Sequence, residues 1–338
     1  MSDIKKIKIS KFVPESGVSS DIDIHFQHFG QNYNNSPVVL VIHSLTGNSN
    51  VSGKSGWWSE IIGLDKVIDT NFFAVLAFNI PGNGYNDSFL DNYIDFHTGD
   101  IAKLFYLGLK KLKIDRLYAV IGGSIGGGIT WEIGCLYNNL TDNLIPIACD
   151  WKSSDWIIAN TFLQKRLLEN SNNPIQDARI HAMLSYRTPF SICDKFSEKK
   201  NTNGKYAIED WLLYHGDNLS KRFSLEAYKA MNHFLSTVNV IRDNKNLDEK
   251  LSKINSNIHI IAVNTDQYFI PDRDRETYKL LKSKKANVFY HEIDSIHGHD
   301  AFLIETKKMI KILSKIFKSK RNENSIRENK YRLPVRSS

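Results

Sequence analysis

The chain has 338 residues, 41% of them hydrophobic and 24% charged, which excludes collagen-like and low-complexity classes and allows one large core with an insertion. Its formal charge of +7 is local: from Lys315 to the end there are eight Lys or Arg and two Glu, which leaves 36 basic against 35 acidic residues elsewhere. A near-neutral body argues against a nucleic-acid partner, and the basic stretch 319–338 reads as a solvated, disordered tail.

The start, MSDIKKIKIS, is charged where a signal peptide needs an unbroken apolar stretch, and no run of about 18 apolar residues occurs. The expectation is a cytoplasmic protein with no membrane partner. Cys135, Cys149 and Cys193 are odd in number and far apart, which suits neither a disulfide framework nor a zinc site, so buried free thiols and no metal are expected.

In chain order, VVLVIH (38–43) is the first apolar, β-branched run, and the loop SLTGNSN follows it. FFAVLAFNI (72–80) is the second. Asp100 to Leu112 then places Ile101, Leu104, Phe105, Leu109 and Leu112 at helical spacing, which predicts a crossover helix with one apolar stripe. LYAVIGG (117–123) is a third strand, and IGGGITWEIGCLY (125–137) begins a helix directly after it. IPIAC (145–149) is a fourth. Between Asp150 and about Lys245 the strand rhythm stops, and ARIHAMLSYR, IEDWLLYHGDNLSKRF and LEAYKAMNHFL read as helices. IHIIAV (258–263) and NVFYHEI (287–293) resume the strands. Continuous apolar runs alternating with helices predict a mostly parallel sheet covered on both faces, with its ligand site at the carboxyl ends of the strands.

Gly122-Gly123-Ser124-Ile125-Gly126 sits at a strand-to-helix turn and fits G-x-S-x-G. A serine on so tight a turn takes a strained backbone, and its neighbours must be small for strand and helix to approach. A glycine-rich phosphate loop is the competing reading, so Ser124 needs partners: a base, and a carboxylate to orient it. Asp266 follows the strand IHIIAV, with Pro271 opening the next helix; a helix-capping role is its alternative. His297 and His299 both lie on the loop after the last strand, and position alone does not separate them as the base. An oxyanion hole needs two N–H donors, for which Ile125 and Leu45 are candidates. His43 precedes the serine and reads as a brace for the Leu45 loop.

Four ordered segments resemble the homoserine O-acetyltransferase family of α/β-hydrolase-fold acyltransferases: HSLTG (43–47), SGWWSEIIGLDKVIDTNFFAV (55–75), IGGSIGG (121–127) and GHDAFL (298–303). The resemblance covers about Val38 to Phe302. It implies that His299 is the base, completing Ser124 and Asp266. The family motif A-R-x-x-x-x-L-T-Y-R is similar to Ala178 to Arg187, which implies that Arg179 and Tyr186 contact an amino-acid substrate, together with Asp300. Here the stretch between PGNGYND and IDFHTGDIAKL is shorter than usual in the family, as is the segment from Trp151 to Arg179.

The expected layout is an α/β-hydrolase core over residues 1–150 and 246–318, a helical lid over 151–245 and the tail over 319–338. The resemblance implies ping-pong transfer of an acetyl or other short acyl group from acyl-CoA, acetyl-CoA above all, to the side-chain hydroxyl of homoserine or a similar amino acid. No permanently bound cofactor is expected, and a homodimer through the lid is implied. An esterase or thioesterase on the same scaffold is the alternative.

Overall fold

The computed structural model describes residues 3–15, 17–243 and 246–317. Ten strands run in chain order as β1 (Lys5–Phe12), β2 (Ser20–Gly30), β3 (Val38–Ile42), β4 (Ile62–Gly63), β5 (Ile68–Asp69), β6 (Ala74–Phe78), β7 (Leu117–Gly123), β8 (Thr141–Ile147), β9 (Asn257–Val263) and β10 (Val288–Ile293). Eight of them form one sheet in the order β1-β2-β6-β3-β7-β8-β9-β10, while β4 and β5 make a small ribbon. From β6 to β10 every pairing is parallel; β1 and β2 add an antiparallel edge.

Alternation within each strand divides the core in two. Val38, Leu40 and Ile42 of β3, with Leu76 and Phe78 of β6, belong to one cluster that also takes in Ile101, Leu104, Phe105 and Ile129. Val39 and Val41, with Val75 and Ala77, face the other cluster, which Trp58, Met309, Leu313 and Phe317 cover. Both faces are therefore buried, which is why these strands read as unbroken apolar runs.

Helices α1 (Thr98–Lys111) and α2 (Ile125–Leu136) cross over before and after β7. Six helices then intervene between β8 and β9: α3 (Asp155–Asn170), α4 (Pro174–Tyr186), α5 (Pro189–Phe196), α6 (Ala207–Ser220), α7 (Leu225–Ser236) and α8 (Leu247–Ser252). After β9 come α9 (Pro271–Lys282), α10 (Ala301–Ile304) and a helix over residues 306–317. A buried ion pair, Arg242 to Glu132 at 2.8 Å, with Thr98 donating to the same carboxylate at 2.9 Å, ties the segment after α7 back to α1 and α2.

All six apolar runs are strands, and the crossover helix is α1. The edge pair β1–β2 carries a half-exposed alternating pattern rather than a continuous run, and the runs taken as strands begin only at Val38. α3 and α5 lie in the stretch where only three helices were expected. All three cysteines are free, but only Cys149 is buried: Cys135 is half-buried and Cys193 exposed, so the expectation of buried thiols fails for Cys193, which faces solvent on the short helix α5. The basic stretch 319–338 lies outside the described residues. No helix among the described residues is long and apolar enough to cross a membrane, and no group of metal-ligating side chains occurs among them.

Candidate active site

Ser124 stands between β7 and α2 with φ 58° and ψ −126°. A non-glycine residue there stores on the order of 1–3 kcal/mol of backbone strain, which the surrounding structure must hold. Three bonds hold it: the Ser124 N–H donates to the Ile147 carbonyl of β8 at 2.9 Å, and the Ser124 carbonyl accepts from the N–H groups of Gly127 and Gly128. The close approach demands glycine at 126, because a Cβ there would lie 2.4 Å from the Ile42 carbonyl oxygen.

The three separated residues meet. His299 Nε2 lies 3.0 Å from Ser124 Oγ, and His299 Nδ1 lies 2.7 Å from Asp266 Oδ2. Asp266 Oδ1 accepts the backbone N–H groups of Tyr268 and Phe269 at 2.7 and 2.8 Å, so both carboxylate oxygens are engaged. Asp266 therefore closes its own turn and does not cap α9, which starts at Pro271. All three side chains are buried. His297 points elsewhere: its Nδ1 faces Ser191 Oγ at 2.9 Å and Arg187 at 3.1 Å.

Four aromatic rings surround the His299 imidazole, those of Tyr186, Tyr268, Phe269 and Phe302, with centroids 5.3 to 5.6 Å away. Gly298, at φ +65°, lets this loop pass under α4, since a Cβ would come within 2.7 Å of the Tyr186 carbonyl.

The loop after β3 is braced against the elbow. Ser44 Oγ donates to the Gly123 carbonyl at 3.1 Å. His43 is buried, with Nδ1 2.7 Å from the Ser44 carbonyl and Nε2 accepting the Ile80 N–H at 2.9 Å. Burial pulls its pKa down to about 4, so the ring is neutral, donating from Nδ1 and accepting at Nε2. Neither the Leu45 nor the Ile125 N–H donates to any group among the described residues. Both stay available for an anion forming at Ser124, where the α2 N-terminus adds positive potential.

Among the helices inserted between β8 and β9, α4 supplies Arg179 and Tyr186. Arg179 forms no ion pair or hydrogen bond among the described residues, and neither does Asp300. The two charges nevertheless feel each other: burial raises the Asp300 pKa, and Arg179, then His299 and Arg187, oppose that rise. Burial pushes the Tyr186 hydroxyl up to about 12, so it remains a donor at neutral pH. Two further residues at the site had no sequence signal of their own. Tyr268 flanks the imidazole opposite Phe302 of the GHDAFL segment, and Arg222, just after α6, donates to the Thr46 carbonyl at 2.9 Å, beside Leu45.

Known proteins share both the pattern and the fold. Residues 37–297 match the family described as alpha/beta hydrolase fold. A homoserine O-acetyltransferase of Methanococcus vannielii is 30% identical over 366 residues, which span 95% of this chain and 73% of that protein. Another, of Cyclobacterium marinum, is 31% identical over 332 residues, 90% of this chain and 92% of that one. The chain belongs to the homoserine O-acetyltransferase family. Among solved structures, the homoserine O-acetyltransferase of Bacillus anthracis superposes with a TM-score of 0.82 at 18% identity, over 94% of this chain and 98% of that one. Esterase E22 does so with the same TM-score at 17% identity, over 94% and 100%. At such identities the likeness speaks for the α/β-hydrolase fold alone, which the homoserine O-acetyltransferase family shares with esterases.

Proposed function

We propose that the protein carries an acetyl group on Ser124 from acetyl-CoA to the side-chain hydroxyl of homoserine, with no permanently bound cofactor. One observation carries this reading: a complete serine–histidine–aspartate relay stands beside an arginine and an aspartate that have no ionic partner of their own. A zwitterionic amino acid supplies both missing partners, its carboxylate to Arg179 and its ammonium to Asp300. Tyr186, protonated and next to His299, is the third contact.

In the first half-reaction His299 Nε2 takes the Ser124 proton as Oγ bonds to the thioester carbonyl carbon. The Leu45 and Ile125 N–H groups hold the oxyanion, and Asp266 stabilises the imidazolium. The carbon–sulfur bond breaks, and the thiolate leaves with the proton from His299. In the second half-reaction His299 takes the hydroxyl proton of homoserine, whose oxygen attacks the acyl carbon. Ser124 leaves and recovers its proton from His299. Helices α3–α7 act as the lid, and their task is to favour a positioned hydroxyl over water. Trp156, Phe162, Phe190 and Tyr214, all exposed on these helices, support pairing of two copies through the lid in the cytoplasm.

The test mixes protein, acetyl-CoA and homoserine and follows free thiol together with O-acetylhomoserine. Equal amounts of both products are expected. Thiol release that ignores homoserine, serine and other hydroxyl acceptors would make the protein a thioesterase and sink the transferase reading.

A further inference from the structure

The loop that carries His299 is gripped from two sides. From the sheet, Asn264 Oδ1 accepts the Ser295 N–H at 2.8 Å, and Thr265 Oγ1 donates to the Ser295 carbonyl at 2.6 Å while accepting the Gly298 N–H at 3.2 Å. From the inserted helices, Thr188 Oγ1 donates to the Ile296 carbonyl at 2.5 Å, and Ser191 Oγ meets His297 Nδ1 at 2.9 Å. Thr188 caps α5, and Ser191 lies in its first turn. Only the first grip comes from the strand ends that also place Asp266. The second ties the histidine loop to α5, a segment far from it in the chain.

Donor and acceptor counts fix the hydrogens of this second grip. Arg187, at the end of α4, has only N–H donors; its Nε and Nη2 donate to Ser191 Oγ at 3.2 and 2.5 Å, and Nη2 also stands 3.1 Å from His297 Nδ1. With Arg187 on its lone pairs, the Ser191 hydroxyl has its own hydrogen left for His297 Nδ1. That nitrogen therefore accepts, and the ring is neutral with its hydrogen on Nε2. A proton on Nδ1 would point at a guanidinium and at an oxygen whose lone pairs are taken, and Ser191 is buried, so water does not relieve the clash. Four charged groups face the ring: Arg187, Asp194 of α5, and Glu305 and Lys308 at the start of the helix over 306–317. Burial and then Arg187 pull the His297 pKa down, and Glu305 and Asp194 oppose this only in part.

Building on the reading of Ser124 as nucleophile and His299 as its base, we propose that His297 is a positioning residue, which in its neutral form latches Ser191 and Arg187 onto the loop that aims His299 at Ser124. Gly298, the one residue between the two histidines, packs so closely on the inserted helices that a Cβ would lie 2.7 Å from the Tyr186 carbonyl oxygen and 3.3 Å from the Thr188 methyl. Movement at the latch is therefore passed to the base. Protonation of His297 removes the acceptor and opens the latch. Because His299 serves both half-reactions, the latch acts on acylation and transfer alike.

The experiment follows acylation by p-nitrophenyl acetate in single turnovers, as a function of pH, for wild type, H297A, H297N and S191A. This substrate needs neither CoA nor homoserine, so the acetyl-transfer reading can fail without changing the result. At pH 8, H297A should lower the maximal acylation rate about tenfold at unchanged KM. H297N should recover most of that loss, because its Oδ1 replaces Nδ1 as an acceptor and does not titrate. S191A removes a single oxygen and keeps the imidazole, so it should show a loss of the same kind even where H297A disturbs folding. As pH falls, the wild-type rate should converge on that of H297A, while H297N keeps its advantage. H297A and S191A acylated as fast as wild type at pH 8, H297N no better than H297A, or a ratio of wild type to H297A that stays constant with pH would overturn the assignment. A wild type that is not acylated at all would overturn the reading of Ser124 and His299, and the latch with it.

Discussion

The two sides of this site are built on opposite principles. On the sheet side the three reacting side chains are fully engaged: Asp266 accepts three hydrogen bonds, His299 uses both ring nitrogens, and Ser124 is pinned by backbone on each side. Facing it, Arg179 on α4 and Asp300, which follows His299, influence each other without pairing. The first arrangement fixes atoms to within a fraction of an ångström, which proton transfer demands. The second leaves polar capacity unspent, and an unspent charge partly withdrawn from water is tolerated where a ligand will spend it. Under the proposed function, chemistry is thus preorganised at the ends of the parallel sheet, and recognition is left open between α4 and the loop after β10.

The sheet side breaks most completely. Ser124→Ala should lower kcat by roughly 10⁶-fold, and Asp266→Asn by about 10⁴-fold, because the asparagine favours the wrong imidazole tautomer while keeping the fold. Circular dichroism checks the fold, and a fluorophosphonate probe should label wild type but not Ser124→Ala. Labelling at another residue would remove Ser124 from the mechanism.

The lid side should yield less, and in one half-reaction. Arg179→Lys keeps a charge but loses the planar fork, so kcat/KM for homoserine should fall by about 10²-fold. Stopped-flow measurement of thiol release in a single turnover separates acylation from transfer, and the loss should be concentrated in transfer. An equal loss in both steps would mean that Arg179 supports the fold or the donor rather than the acceptor.

The same division decided what the sequence could reveal. Ser124 is legible because the turn imposes glycines around it, and Asp266 and His299 because each follows a strand that announces itself as an apolar run. Choosing His299 over His297 required the GHDAFL resemblance, since only the folded loop turns one ring inward and the other toward Arg187. Arg179 and Tyr186 came from a motif match, not from periodicity. Arg222 and Tyr268 matter through contacts between segments distant in sequence, and no local pattern encodes those. The antiparallel edge β1–β2 went unread because its strands bury one face and alternate with charge, which resembles an ordinary polar stretch.

His43 joins the two regions and should show an intermediate effect. Replacing it with leucine strands the Ile80 N–H, which now donates to Nε2, and frees the Ser44 carbonyl beside the oxyanion loop. A buried unpaired N–H costs about 1–3 kcal/mol. Denaturant titration should show a lower midpoint, and the residual activity should fall further than the Leu45 loop's exposure would suggest, because loosening that loop weakens a donor to the oxyanion.

The smallest effect has the most distinctive sign. Burial raises the Asp300 pKa in the folded protein, with Arg179 opposing only in part. A carboxyl whose folded pKa lies above its unfolded value favours the folded state most when both states are protonated, and that advantage is lost as pH rises through the folded value. At neutral pH the ionised Asp300 is therefore a stability cost held for binding. Asp300→Asn should melt at a higher temperature than wild type at pH 8, and the gap should close as pH falls toward the ordinary carboxyl value of 3.8. The same variant should raise KM for homoserine, since the amide no longer balances an ammonium. A variant less stable than wild type at pH 8 would show that Asp300 is a structural ion, paired with Arg179 in solution, and the lid side would then be as saturated as the sheet side.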